Sequence, residues 1–521
     1  VAGSRSYQRI RNLESEIFAN MEIPTLTKKT FAPESLEKWF QPFRESIIGI
    51  HRQFETPYGE KKIIYADWTA SGRMYGPIED IMLHQVAPLV GNTHTETTVT
   101  GSSMTQAYHH AKHIIKHHVR AHEKDVLIAT SSGMTGVVNK FQRILGLKVH
   151  ERFQHLLKLS EQERPVIFVT HMEHHSNQTS WLETIADVVV VEPDADGLVD
   201  LARFEAVVQQ YADRETKIAA VTSCSNVTGI ATPYHDIAAL MHRHGGLCFV
   251  DFACSAPYID IDMRPEDEAR HLDAIYFSPH KFLGGPGSSG VLIFDPQLYK
   301  IRIPDSPGGG TVDWTNPWGE HKYIDEIEAR EDGGTPAFLQ TIRVAMAIQL
   351  KEQMGVANMQ RREEELLERL WAKFDRLQNL HVLADHVRRR LGVISFYVDG
   401  LHYNLGVKLL NDRFGIQVRG GCSCAGTYGH YLLHVSKQDS KSITEKINHG
   451  DLSAKPGWIR LSIHPTTSNE EMDYILDAIE ALCTHHQEWA KDYRYDVHTN
   501  EFQHLSGKDG IGEMVSGWFE W

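Results

Sequence analysis

An α/β fold is predicted: a large domain with a mostly parallel sheet flanked by helices, followed by a smaller C-terminal α/β domain. Three features of the sequence point there. From about residue 125 short apolar runs alternate with helical patterns; the runs are apolar at nearly every position; and polar residues suited to chemistry follow their ends. A strand apolar throughout is buried on both faces, which in practice means a parallel sheet under two layers of helices. The 521 residues allow two or three such units.

The runs, in order, are Asp125 to Ala129, Val166 to Val169, Val188 to Val191, Ile218 to Val221, Cys248 to Val250, Ala274 to Phe277 and Val291 to Phe294. A helical, charge-rich stretch over about 337–380 then leads to a second unit. Its expected strands are Val393 to Tyr397, Ile416 to Val418 and Trp458 to Ser462, and its expected helices lie near 402–414 and 468–486. The expected organisation is an N-terminal arm over 1–45, a large domain over 46–336, linker helices and a small domain over 337–486, and a docked aromatic tail over 487–521.

Composition excludes several classes. A formal charge of -15 argues against a nucleic-acid surface, because such affinity rests on Lys and Arg neutralising phosphates. No apolar stretch approaches the roughly 20 residues that span a bilayer, and the opening Val1-Ala2-Gly3-Ser4-Arg5 has no secretory pattern, so a cytoplasmic protein is expected. Six cysteines without C-x-x-C spacing point to reduced thiols rather than a disulfide scaffold or a zinc site. Cys422 and Cys424 differ from the others in lying in a Gly-rich stretch.

Ligands gather outside the carboxyl ends of strands in such sheets, so the residues there are the candidates for chemistry. "FSPHKFLGGPGSSG", residues 277–290, contains a formal G-x-G-x-x-G. A dinucleotide loop must follow a strand and open a helix; here the glycines precede a strand, and that reading fails. Lys281 offers a better one. A lysine can form a Schiff base with pyridoxal phosphate, which then needs an acid for its ring nitrogen, phosphate donors and a ring clamp. Asp251 ends an apolar run, Ser132-Gly133-Met134-Thr135 stands where a helix begins, His174 can stack on a ring, and Asn226 can meet the ring hydroxyl oxygen. Each alone is a common cap, turn or core residue; their joint order carries the reading.

The set resembles a fold type I pyridoxal-phosphate enzyme of the class V aminotransferase family, nearest the cysteine desulfurase and selenocysteine lyase group. Tyr65-Ala66-Asp67-Trp68-Thr69-Ala70 resembles the family's "YLDNAAT", and Gly91-Asn92-Thr93-His94 its "AN-x-H". Ser132-Gly133-Met134-Thr135 stands for "SGAT", Glu173-His174-His175-Ser176-Asn177 for "EHHAN", and Ser225-Asn226-Val227-Thr228-Gly229 for "SNVLG". Asp251-Phe252-Ala253-Cys254, Ser278-Pro279-His280-Lys281 and Gly334-Thr335-Pro336 complete it, for "DGAQ", "SGHK" and "GTP".

The resemblance implies Lys281 as the Schiff-base lysine and Asp251 as the partner of the ring nitrogen. It implies Gly133, Met134, Thr135, Ser278, His280 and Thr335 around the cofactor, with help at the phosphate from the partner subunit of a homodimer. His174 is implied as both stacking and catalytic, Asn226 and Asn92 as substrate-side residues, and Arg460 as the clamp on the substrate carboxylate, a role its planar fork suits. Cys254 departs from the pattern, since the family has Gln there, a far stronger donor.

Arg419-Gly420-Gly421-Cys422-Ser423-Cys424-Ala425 resembles the desulfurase pattern R-x-G-x-x-C-A, with Cys424 in the nucleophile position. It implies sulfur removal from L-cysteine, or selenium from its analogue, to give alanine and a persulfide on Cys424, with a sulfur-acceptor protein as a further partner. Cys422 relays sulfur, protects Cys424 or has no part. The alternative is an aminotransferase, epimerase or other C–S lyase on a larger amino acid, without thiol chemistry. A sulfur-delivery scaffold working through the two termini is the third reading. Histidines at i, i+4 spacing in "YHHAKHIIKHHVRAH" lack a third ligand type, and no metal is assigned.

Overall fold

The computed structural model describes residues 35–93, 95–130, 132–507 and 511–520; the expected N-terminal arm up to residue 34 lies outside the described residues. Seven strands form the large sheet: Val126–Thr130 (β1), Val166–Thr170 (β2), Asp187–Val191 (β3), Lys217–Thr222 (β4), Leu247–Asp251 (β5), Ala274–Phe277 (β6) and Gly290–Phe294 (β7). Their spatial order is β1-β7-β6-β5-β4-β2-β3, and only β7 runs antiparallel to its neighbours.

Alternate residues of each strand fill two separate cores, which is why the runs are apolar throughout. On one face Leu127, Phe168, Val221, Val250, Ile275 and Ile293 meet Ile115 of the helix Val99–His118 (α1). On the other, Ile128, Val169, Ala220, Phe249 and Leu292 meet Val137, Val138 and Phe141 of the helix Gly133–Ile144 (α2). Each fully buried side chain of this kind contributes about 1.5–3 kcal/mol. The topology therefore delivers the ends of β2, β4, β5 and β6 to one edge, with the start of α2 beside them.

The helix Phe338–Met354 (α4), the first of the expected linker helices, sends Val344, Ala347 and Ile348 into the first of these cores. The next helix, Val356–Phe374 (α5), belongs to the small unit through Leu366 and Leu370. There a fully antiparallel sheet has the order β8-β9-β11-β10, from Leu380–Val382 (β8), Val393–Val398 (β9), Arg419–Gly421 (β10) and Trp458–Ser462 (β11). Helices Tyr403–Phe414 (α6) and Asn469–Trp489 (α7) cover it.

The expected strand at 416–418 lies outside that sheet. Ile416–Gln417 pairs in parallel with Ile64–Tyr65, and Ile64 and Ala66 join the small core. Residues counted with the large domain by position are thus held by the small one. Two paired residues are too few to leave a periodic signal. After α7 the tail forms a hairpin of Tyr493–Asp496 and Glu501–His504, anchored where Tyr493 donates to Asp412 of α6 at 2.9 Å.

Candidate active site

Lys281 ends a single 3-10 turn, Pro279–Lys281, directly after β6. Two glycines fix that turn by close approach. A side chain at Gly72 would meet the Phe282 carbonyl oxygen at 1.9 Å, and one at Gly285 the Pro279 carbonyl oxygen at 1.9 Å. The Gly72 N–H donates to the His280 carbonyl at 2.8 Å, as does the Ser71 hydroxyl at 3.2 Å. The motif-like glycines thus serve packing: Gly290 opens β7 where its Cβ would stand 2.2 Å from the Gly133 carbonyl oxygen.

Burial pushes the Lys281 ammonium below the ordinary lysine range, and Arg460 adds to this against the opposing pull of Cys254 and Asp251. A neutral amine is the nucleophilic form. Asp251, the last residue of β5, is buried and pushed up to about 6, although the Ala253 N–H (2.7 Å) and Lys281 both favour its ionised form. A cation facing that carboxylate would hold it ionised.

His174 caps the helix His175–Leu182 (α3), its Nδ1 accepting from the Ser176 N–H at 3.1 Å. Burial, then Lys281, lowers its pKa to about 3. The ring is therefore neutral and carries its proton on Nε2. At the start of α2 the Met134 N–H donates to Ser278 Oγ at 2.9 Å while the Met134 side chain packs in the core. Gly133 has φ +59°, and a Cβ there would lie 3.3 Å from Ser278 Oγ. Thr135 Oγ1 is 2.7 Å from Ser176 Oγ, and His280 Nδ1 is 3.2 Å from Ser71 Oγ. Hydroxyls, helix-start N–H groups and a close glycine approach make a cradle for a phosphate.

Orphaned buried atoms test the fit of pyridoxal phosphate. Asn226 Oδ1 and Arg460 Nε are buried with no partner among the described residues. Arg460 Nη1 donates to the Asn226 carbonyl at 3.2 Å, so the two stand together; an amide oxygen suits a ring hydroxyl, and a guanidinium donor suits a carboxylate. Cys254 is buried with its Sγ 3.6 Å from the Ser225 carbonyl oxygen, and Cys224 lies beside it. Among the described residues Asn92 and Thr335 make no hydrogen bond to this cluster; both are exposed. The residues thus fit the cofactor, with these two outside the cluster of a single chain.

The cysteine loop docks onto the start of α3. The His175 N–H donates to the Cys424 carbonyl at 2.7 Å, His175 Nε2 accepts the Gly426 N–H at 3.0 Å, and Asn226 Nδ2 donates to the Ser423 carbonyl at 2.7 Å. Ser423 and Cys424 both adopt left-handed backbone, at φ 52° and 58°, each at a cost of order 1–3 kcal/mol. The three hydrogen bonds hold that strain, and the Cys424 side chain is exposed.

Two residues without a sequence-level role emerge here. His175 grips the loop, and Asp67 joins two arginines, accepting from Arg460 Nη2 at 2.7 Å and Arg419 Nε at 3.0 Å. Their signal was position alone, inside "EHHAN" and "YLDNAAT" look-alikes. Beneath the site, buried Glu173 accepts from Thr170 Oγ1 (2.6 Å), the Thr222 N–H (2.9 Å) and Asn177 Nδ2 (2.7 Å). Asn177 Oδ1 is held by Tyr276 and Trp181, so the amide cannot turn over.

Burial pushes Glu173 up to about 8. A raised carboxylate contributes stability at low pH that is lost as pH rises from about 4.5 to about 8, because the native state then binds the extra proton. Glu173→Gln, whose amide would oppose that of Asn177, is expected to lower stability by about 1–3 kcal/mol at pH 6 and to flatten the pH dependence. Thermal melts of both proteins between pH 5 and 9 check this; parallel curves would refute it.

Comparisons with known proteins agree with this geometry. The sequence model of the family described as aminotransferase class-V matches residues 64–475. A "probable cysteine desulfurase" of Halalkalibacterium halodurans is 28% identical over 338 residues, 64% of this chain and 77% of the relative. One of Staphylococcus epidermidis is 28% identical over 375 residues, 71% and 85% respectively. The apo structure of a cysteine desulfurase from Thermococcus onnurineus superposes with a TM-score of 0.66 at 24% identity, over 81% of this chain and 95% of that one. The Escherichia coli cysteine desulfurase CsdA gives 0.65 at 20% identity, over 85% and 97%.

Proposed function

The chain belongs to the aminotransferase class-V family, and from that premise we propose that it is a pyridoxal-phosphate-dependent cysteine desulfurase acting on L-cysteine or its selenium analogue. One observation carries the reading: an exposed thiol, Cys424, is clamped by strained backbone onto the helix start that bears His174. An aminotransferase or epimerase has no use for a thiol there, and that alternative is not favoured.

Lys281, Asp251, His174, Asn226, Ser278 and the start of α2 would hold pyridoxal phosphate, with a partner subunit completing the phosphate site. When bound, the cofactor supplies an electron sink that makes the substrate α-proton acidic and the carbon–sulfur bond breakable. Arg460 takes the substrate carboxylate through Nε and the fork it now shares with Asp67. Lys281 Nζ, whose charged form burial disfavours, accepts the α-proton and later returns a proton to carbon. Cys424 Sγ, as thiolate, bonds the substrate sulfur as the carbon–sulfur bond breaks. The balance is cysteine plus Cys424 thiol giving alanine plus Cys424 persulfide; two external thiols, or a sulfur-acceptor protein, then discharge it.

The test is incubation of the purified protein with L-cysteine and dithiothreitol. Alanine and sulfide are expected in equal amounts, and no alanine from cysteine or selenocysteine would refute the function. Asp67→Asn should raise KM for cysteine about tenfold with kcat little changed, because Arg460 loses a charge-assisted partner worth about 1.5–3 kcal/mol. Steady-state kinetics check it; an unchanged KM would remove Asp67 from the site. A homodimer and a cytoplasmic location are part of this proposal, and among the described residues no helix is long and apolar enough to cross a membrane.

A further inference from the structure

Residues 422–425 form a tight turn, closed where the Ala425 N–H donates to the Cys422 carbonyl at 3.0 Å. Its two central residues, Ser423 and Cys424, are both left-handed, a combination that Asn-Gly or Gly-Gly adopts readily and Ser-Cys does not. The local sequence gives the turn no preference for this shape, so contacts from outside hold it. Where the Cys424 thiol stands depends on those contacts.

Two of them come from one residue and differ in kind. The bond from the His175 N–H to the Cys424 carbonyl is made by backbone, and any residue at 175 except proline would make it. The bond from the Gly426 N–H to Nε2, at 3.0 Å, belongs to the imidazole ring. Gly426 opens the helix Gly426–Leu432, so its N–H has no acceptor within that helix, and the ring satisfies it. A backbone N–H only donates, so Nε2 carries the lone pair and the neutral ring holds its proton on Nδ1. Burial, then the charge of Lys455, lowers the pKa of His175 and favours that neutral form.

The same stretch of α3 reaches the cofactor cluster. His174, the preceding residue, is close enough to Lys281 for that charge to lower its pKa. One turn along α3, Gln178 Oε1 accepts from Thr427 Oγ1 at 2.8 Å, a second side-chain bond to the segment after the thiol. The start of α3 thus faces the Lys281 cluster through one ring and the thiol loop through the next. We propose that His175 is the positioning residue for sulfur transfer: its ring holds the Cys424 turn where the thiol meets the substrate sulfur, without itself touching substrate or cofactor. This role, which rests on the desulfurase reading above, falls on a side chain that the reading leaves unused.

The test uses the full-length protein loaded with its cofactor, in three forms: unaltered, His175→Ala, and His175→Gln, whose amide oxygen reaches as far as Nε2 and can take the Gly426 N–H. His175→Ala is expected to lower kcat for alanine formation about 10–100-fold, as a thiol displaced by about 1 Å would. The absorbance change on mixing with L-cysteine, and its dependence on cysteine concentration, should stay within about twofold, because the Lys281 cluster is untouched, and His175→Gln should recover kcat to within about threefold. Alkylation of Cys424 by iodoacetamide, followed by mass spectrometry, should run faster in His175→Ala than in the other two, a reading that needs no turnover. No alanine from the unaltered protein would remove the desulfurase reading, whereas equal alkylation rates in all three forms would remove His175 from its role. The role also falls if His175→Ala keeps kcat within about twofold, or if His175→Gln loses as much as His175→Ala. If His175→Ala fails to take up the cofactor, His175→Asn replaces it, its amide too short to reach Gly426, with the same outcomes.

Discussion

Lys281→Ala is expected to abolish alanine formation, with a loss of about 10³-fold or more, and to leave the fold intact. The magnitude follows from removing both the covalent anchor and the proton acceptor at one position, when general acid–base catalysis alone is worth about 10²–10⁴. The surroundings give a specific reason why nothing substitutes. Burial, aided by Arg460, lowers the pKa of this amine, and the neighbouring bases are unsuited: His174 has its lone pair taken by Ser176, and His280 is lowered to about 4 by burial and Lys281. The turn itself is set by backbone contacts of Gly72 and Gly285, which the substitution leaves alone. Borohydride reduction followed by mass spectrometry should label Lys281 in the unaltered protein and nothing in the variant. Activity above about one hundredth of the original would show that another group takes the proton.

Cys424→Ala is expected to cut cysteine turnover by about 10³-fold while cofactor binding stays normal, because the variant loses the sulfur acceptor and nothing that touches the Lys281 cluster through its side chain. The clamps on this loop are made by backbone groups, through the carbonyls of Ser423 and Cys424 and the N–H of Gly426, so alanine inherits the same position. Selenocysteine should be less affected, since selenium leaves more readily. Persulfide trapping on Cys424 gives a direct reading. Cysteine turnover within fivefold of the original would assign the acceptor role elsewhere, with Cys422, two residues earlier and half-buried, next to be tested.

The strands of the large sheet were legible because burial on both faces leaves a run of apolar residues that no surface element shows. The strand-end residues Asp251, His174, Asn226 and Lys281 followed, since a parallel sheet brings its carboxyl ends together whatever the intervening helices. The small domain was legible in part. Val393–Val398 and Trp458–Ser462 lie in its centre and are apolar, whereas Ile64–Tyr65 and Ile416–Gln417 find each other across more than half the chain. Helix α4 carries few charges where α5 carries many, and its packing against α1 assigns it to the large core.

Sequence alone therefore determined the large sheet, the lysine and the order of polar residues around it, because local pattern and chain direction decide those. Tertiary structure decided which distant groups share a charge. Asp67 meets Arg419 and Arg460, and His175 grips the Cys424 loop, each through side chains whose partners no spacing rule relates. The physical reason is range: hydrophobic periodicity acts between neighbours in the chain, whereas hydrogen bonds and ion pairs act over about 3 Å of space and take their meaning only once the fold has set those distances.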